Sequence, residues 1–111
     1  MNLTIENRNE ITIVKINEKK ITSENSPKLK AKLLIEAQPN LRAFIIDISN
    51  VEAIDSSGFG AFLLADRQLR NHGIPTLIVG VRENIKHLFE ILKLDRVFTF
   101  YNTIEEALAE I

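Results

Sequence analysis

The sequence contains no cysteine. That excludes a disulfide framework, a thiol nucleophile and a cysteine-ligated zinc site. Nor is there an excess of charge: 14 basic residues face 15 acidic ones, for a formal net charge of −1. With an isoelectric point near 6.1, no direct binding of nucleic acid is expected. No apolar run approaches the roughly 20 residues that span a bilayer, so no membrane partner is expected. The opening stretch MNLTIENRNE lacks a basic region followed by an apolar core, which predicts no secretory signal and a cytoplasmic location. Neither a G-x-x-x-x-G-K-[ST] loop nor a G-x-G-x-x-G fingerprint occurs, so no dedicated nucleotide site is expected. No internal repeat, linker or low-complexity tract breaks the chain. No metal and no cofactor are expected.

What remains is an ordinary globular composition. Of 111 residues, 45% are hydrophobic and 26% charged, which suits one domain over residues 1–111. A chain of this size buries roughly two-thirds of its unfolded surface and needs no staple.

The apolar pattern predicts an α/β fold. LTIEN and EITIVKI, joined by Asn7-Arg8-Asn9, read as a β-hairpin rich in β-branched residues. After the polar stretch NEKKITSENSP, with Ser23 and Ser26 as candidate caps and Pro27 in the first turn, PKLKAKLLIEAQ reads as a helix with Leu29, Leu33 and Ala37 on one face. AFIIDI (43–48) is an unbroken apolar run, the mark of a central strand buried on both faces. SNVEAID reads as a loop, and SSGFGAFLLADRQLRNHG as a helix capped by Ser56 or Ser57. IPTLIVG (74–80) is a second buried strand. In VRENIKHLFEILKL, Ile85, Leu88, Phe89 and Leu92 form the clearest helical stripe. VFTF (97–100) reads as a short strand, and Thr103 with Glu106 as the capping box of a last helix. The order ββαβαβαβα implies a mixed, mostly parallel sheet with an N-terminal hairpin and helices packed on it.

The stretch IDISNVEAIDSSGFGAFLLADRQLR (46–70) carries the chemistry. It brings Asp55-Ser56-Ser57-Gly58 to the start of a helix, where free N–H groups and partial positive charge would offer donors to a phosphate. Gly58 and Gly60 cost that helix about 1 kcal/mol each relative to Ala. Close approach of a partner backbone accounts for them, and so does tight packing on the sheet. Ser and Asp at such a position serve most commonly as caps; a phosphoryl acceptor is the other role the residues allow. The lysines at 15, 19, 20, 28, 30 and 32 read first as a solvated face and turn, and second as a patch that steers an acidic partner.

The segment V-E-A-I-D-S-S-G-F-G-A-F resembles the signature of the STAS domain family, in particular its bacterial anti-sigma-factor antagonists. The resemblance covers nearly the whole chain: the hairpin, AFIIDISNV, the D-S-S-G-x-G turn, IPTLIVG and ENIKHLFEILKLDRVFTFYNTIEEAL. It implies a switch protein without catalytic activity; a monomer when free is the default expectation. The first serine of the turn, Ser56, would be phosphorylated by an anti-sigma factor serine kinase, with Ser57 the alternative. The unphosphorylated form would bind that kinase, and a PP2C-type phosphatase would reset it. The partner surface implied is Thr22, Ser23, Asp55, Ser56, Ser57, Gly58 and Phe59. Phe59 is expected in the core, with an exposed anchor as its other role. Many members carry G-x-[LI]-D before the first helix; here Lys19-Lys20-Ile21-Thr22 stands in its place. The aspartate that helps kinase recognition in those members is Thr22, with Ser23, Glu24 and Asn25 as the nearest substitutes.

Three other readings compete. A receiver domain would use Asp47 as phosphoacceptor, but neither Ile16-Asn17-Glu18 nor Phe100-Tyr101-Asn102 supplies the acidic pair and lysine it needs; Asp47 reads better as ordering the next loop. A serine hydrolase would need glycine two positions before its serine, where Ile54 and Asp55 stand, and His72 or His87 as a base. A scaffold that is never phosphorylated, or a ligand-binding subunit of a larger signalling or transport complex, is the alternative within the family.

Overall fold

The computed structural model describes residues 1–111. β1 (Leu3–Arg8) and β2 (Ile11–Ile16) pair antiparallel, with Leu3 opposite Ile16 and Arg8 opposite Ile11. The turn is Asn9-Glu10, with φ of 50° and 66°, the left-handed pair whose twist matches two antiparallel strands. The chain continues through β3 (Lys20–Ile21), α1 (Ser26–Glu36), β4 (Ala43–Asp47), β5 (Ala53–Ile54), α2 (Ser56–Arg70), β6 (Thr76–Val79), α3 (Glu83–Ile91), β7 (Thr99–Tyr101) and α4 (Ile104–Ala109).

The main sheet has the order β1-β2-β4-β6-β7. Every neighbouring pair in it is parallel except the hairpin. Its central strands alternate between two apolar layers, as the two-residue period of a strand requires. Val14, Ile16, Phe44, Ile46 and Ile78 join the layer covered by α1, α2 and α3. Ile11, Ile13, Ala43, Ile45, Leu77 and Val79 join the smaller layer on the other face, where Ala107 of α4 sits. This is the mixed, mostly parallel sheet expected, and β4 is buried on both faces along its whole length.

Four local expectations are corrected. α1 starts from Asn25, not from Ser23 or Ser26, and no side chain caps it. Asn25 instead spends its amide on the preceding turn, accepting from Thr22 N at 2.8 Å and donating to Lys20 O at 2.9 Å. α2 is capped by Asp55, with Ser56 and Ser57 inside the first turn. β7 lies two residues after the VFTF start, at Thr99–Tyr101. Leu92, the last residue of the α3 stripe, falls past the helix end and is exposed. The Thr103 box forms: its hydroxyl accepts from Glu106 N at 3.1 Å, while the Glu106 carboxylate reaches one residue further back, to Asn102 N.

Phe89 ties α2, α3 and β7 together. Its ring meets Phe59 edge-on at 4.8 Å, Phe100 at 5.0 Å and Phe98 at 5.7 Å, and stacks on Phe62 at 6.4 Å. Edge-to-face pairs add to the area these rings bury. Phe89→Ala removes the hub of all four pairs and is expected to lower unfolding stability by about 3–5 kcal/mol, read as a fall in the urea midpoint.

Candidate functional site

The two shortest strands position the site. β3 and β5 pair parallel, Lys20 with Ala53 and Ile21 with Ile54, in a small sheet of their own. Glu52 N donates to Lys19 O at 2.7 Å, and Asp55 N donates to Ile21 O at 3.0 Å. The turn before α1 is thereby fastened beside the turn before α2. Both strands lie in stretches that the sequence pattern reads as loop.

Asp55 completes the junction. Its backbone is extended, as an N-cap residue requires. One carboxylate oxygen accepts from Ser57 N at 3.0 Å, and the other accepts from Ser23 N at 3.0 Å. The Ser57 hydroxyl donates to the first oxygen as well. These donors favour the charged form. The Ser57 hydroxyl, and then the N–H groups of Ser57, Ser23 and Gly58, hold the Asp55 carboxyl below the ordinary aspartate range.

Ser56 differs from its neighbour. It is exposed, and its hydroxyl makes no hydrogen bond within the chain. Ser57 is half-buried and committed to Asp55. The expectation of ready backbone donors for a phosphate is corrected at two groups: Asp55 already accepts from Ser57 N, and its carbonyl from Gly58 N at 3.1 Å.

Gly58 serves internal packing. A Cβ there would lie 2.5 Å from Ile54 Cγ2 and 2.7 Å from Ile21 Cγ2. Only a glycine lets α2 start against the β3–β5 pair. Gly58 is therefore buried rather than part of an accessible surface. Phe59 is also corrected as a partner anchor: it is 4% exposed and packs on Phe89. Thr22 is half-buried, and its hydroxyl accepts from Glu24 N at 3.2 Å. Ser23 is exposed and reaches Asp55 through its backbone. So Thr22, Ser23, Asp55, Ser56 and Ser57 come together at the surface, with Gly58 and Phe59 beneath them. Asn25, one of the three nearest substitutes for the family aspartate, belongs to the same junction, where its amide bonds the local backbone at Thr22 and Lys20.

The competing chemistries find no geometry. Asp47 is buried and accepts from Ser49 N at 2.9 Å, so it orders the following loop. His72 and His87 are both exposed, and neither hydrogen-bonds to a serine of the turn. No helix is long and apolar enough to cross a membrane.

A family model described as STAS domain matches residues 2–107. The chain belongs to the STAS domain family. Among STAS relatives, BtrV of Bordetella bronchiseptica, named as a candidate anti-sigma factor antagonist, is 26% identical over 89 residues, covering 80% of this chain and 77% of its own. The crystal structure of a candidate anti-sigma factor antagonist from Thermotoga maritima superposes with a TM-score of 0.89 at 24% identity, covering 98% of this chain and 93% of that one. The Bacillus cell fate determinant SpoIIAA in its phosphorylated form superposes with a TM-score of 0.76 at 19% identity, over 98% of both chains. At these identities the two structures speak for the shared STAS fold.

Two outcomes follow from the junction. Gly58→Ala is expected to destabilise the domain by about 1–3 kcal/mol through overpacking, despite the helix propensity of alanine; denaturant unfolding checks it. In a carboxyl NMR titration, Asp55 is expected to titrate below an ordinary aspartate, and Ser57→Ala to move its midpoint upward. Because the folded value is the depressed one, the Asp55 contribution is present above the unfolded pKa and is lost as pH falls through the folded one.

Proposed function

We propose that this chain is an anti-sigma-factor antagonist whose binding is switched by phosphorylation of Ser56. In this reading it has no catalytic activity. Unphosphorylated, it sequesters an anti-sigma factor serine kinase; phosphorylation releases it, and a PP2C-type phosphatase restores it. The supporting relatives carry that name, and SpoIIAA has been solved in both unphosphorylated and phosphorylated forms.

The observation that carries the reading is the contrast between the two serines. Ser56 presents an exposed hydroxyl with no internal partner, one residue from a carboxylate that stays ionised. A kinase can take that hydroxyl without breaking the cap. Ser57 would first have to leave Asp55. Phosphorylation adds about −1.5 to −2 charges and three acceptor oxygens. Two nearby N–H groups are already taken by Asp55. The phosphate therefore stands as added negative charge on the contact surface, beside another negative charge. Bringing it against a partner without matching donors costs several kcal/mol, and every 1.4 kcal/mol is about tenfold in affinity. The binding surface changes charge while the fold stays as it is.

Ser56→Ala is expected to bind the kinase at full strength and to take no phosphate. Ser56→Glu should bind at least about tenfold more weakly. Ser57→Ala should keep the phosphorylation site. Calorimetry with a histidine-kinase-like serine kinase recovered on the Ser56→Ala bait, together with mass spectrometry of the phosphorylated chain, reads all three. Equal affinity of the Ala and Glu variants contradicts the switch.

A further inference from the structure

Gly60 has no internal reason to be glycine. It sits in the first turns of α2, where glycine is unfavourable, yet a Cβ there would meet nothing within 4 Å. What lies beside it is a groove of about 530 Å³ between α1 and α2. Pro27 and Leu64 form part of its apolar wall, and Lys30 from α1 and Arg67 from α2 line it. No acidic side chain lines the groove, and neither cation forms a salt bridge in the chain. Ser23 and Ser57 also line it, so the groove is continuous with the turn that presents Ser56. Near the C-terminal end of α1 the helices are tied together: Gln68 donates to Leu34 O at 3.0 Å and Ala37 O at 2.8 Å.

We propose that this groove receives an acidic, apolar-tipped peptide segment of the protein partner, with Lys30 and Arg67 pairing its carboxylates and Gly60 leaving room for its side chains. The proposal rests on the reading of the domain as a partner-binding module, but not on phosphorylation of Ser56. Two unpaired cations over an apolar wall match a segment that offers carboxylates beside leucine-like side chains. The missing side chain at position 60 is what a passing chain needs. Its place in the groove sets Lys30 apart from the rest of the lysine-rich stretch: Lys28 and Lys32 are exposed on the same helix but do not line the groove.

The test uses the full chain and a fluorescein-labelled synthetic peptide of two leucines flanked by aspartate and glutamate. Binding is read by anisotropy and located by amide NMR shifts. The expected result is saturable binding that shifts Ser26, Gly60 and Leu64. Lys30→Glu with Arg67→Glu should weaken it at least about tenfold, while Lys28→Glu with Lys32→Glu, the same change in net charge, leaves it within about twofold. Gly60→Gln should weaken binding as much, with an unfolding temperature no lower than that of the parent chain, which separates a filled groove from a damaged fold. No saturable binding, shifts elsewhere, or equal loss in the Lys28/Lys32 variant overturns the proposal. So does dodecyl phosphate shifting the groove amides where the peptide does not, since that makes the occupant an anionic amphiphile. The peptide assay contains no kinase, so its failure leaves the Ser56 reading standing. Equal kinase affinity of the Ser56 variants alongside intact peptide binding sinks the switch alone.

Discussion

The Asp55 carboxylate holds three pieces of chain in one geometry. It caps α2 through Ser57, reaches across to Ser23 before α1, and follows directly on the β3–β5 pair. Each contact is an ordinary hydrogen bond, and an exposed one contributes little alone. Their effect is positional. The two turns that precede α1 and α2 are 32 residues apart in sequence between Ser23 and Asp55, yet they present one continuous surface. Ser56 stands on that surface, one residue beyond the cap, with its hydroxyl free.

This arrangement suits a switch that works by charge. The core below the turn is closed: Phe59 and Phe62 lock α2 onto Phe89, and Gly58 seats the helix start on Ile21 and Ile54. Adding charge above such a floor alters what can dock without asking the domain to rearrange. The turn's backbone is bonded from both sides, Asp55 N to Ile21 O and Ser23 N to the Asp55 carboxylate.

The sequence made the framework legible because long periodic runs carry redundant information. β4 and β6 were plain from unbroken apolar stretches, and α3 from the spacing of Ile85, Leu88 and Phe89. The aspartate–serine turn was legible as a helix start with polar side chains, and family resemblance singled out Ser56. What escaped was short or indirect. Two-residue strands show no alternation, so β3 and β5 hid inside stretches that read as loop, with Ile21 and Ile54 as their buried members. The cap was ambiguous because aspartate and serine can both cap; it fell to Asp55, which also accepts from Ser23 across the junction. The groove left no periodic trace, since Lys30 and Arg67 come from different helices.

Gly58 and Gly60 are two residues apart on one turn of helix, and they answer to different pressures. At Gly58 a methyl group collides with Ile21 and Ile54; at Gly60 it meets open space. A library of variants sorted for heat resistance alone would therefore keep the first glycine and discard the second, because a better helix former at an unobstructed position raises stability. A lineage that retains both is being filtered for more than staying folded.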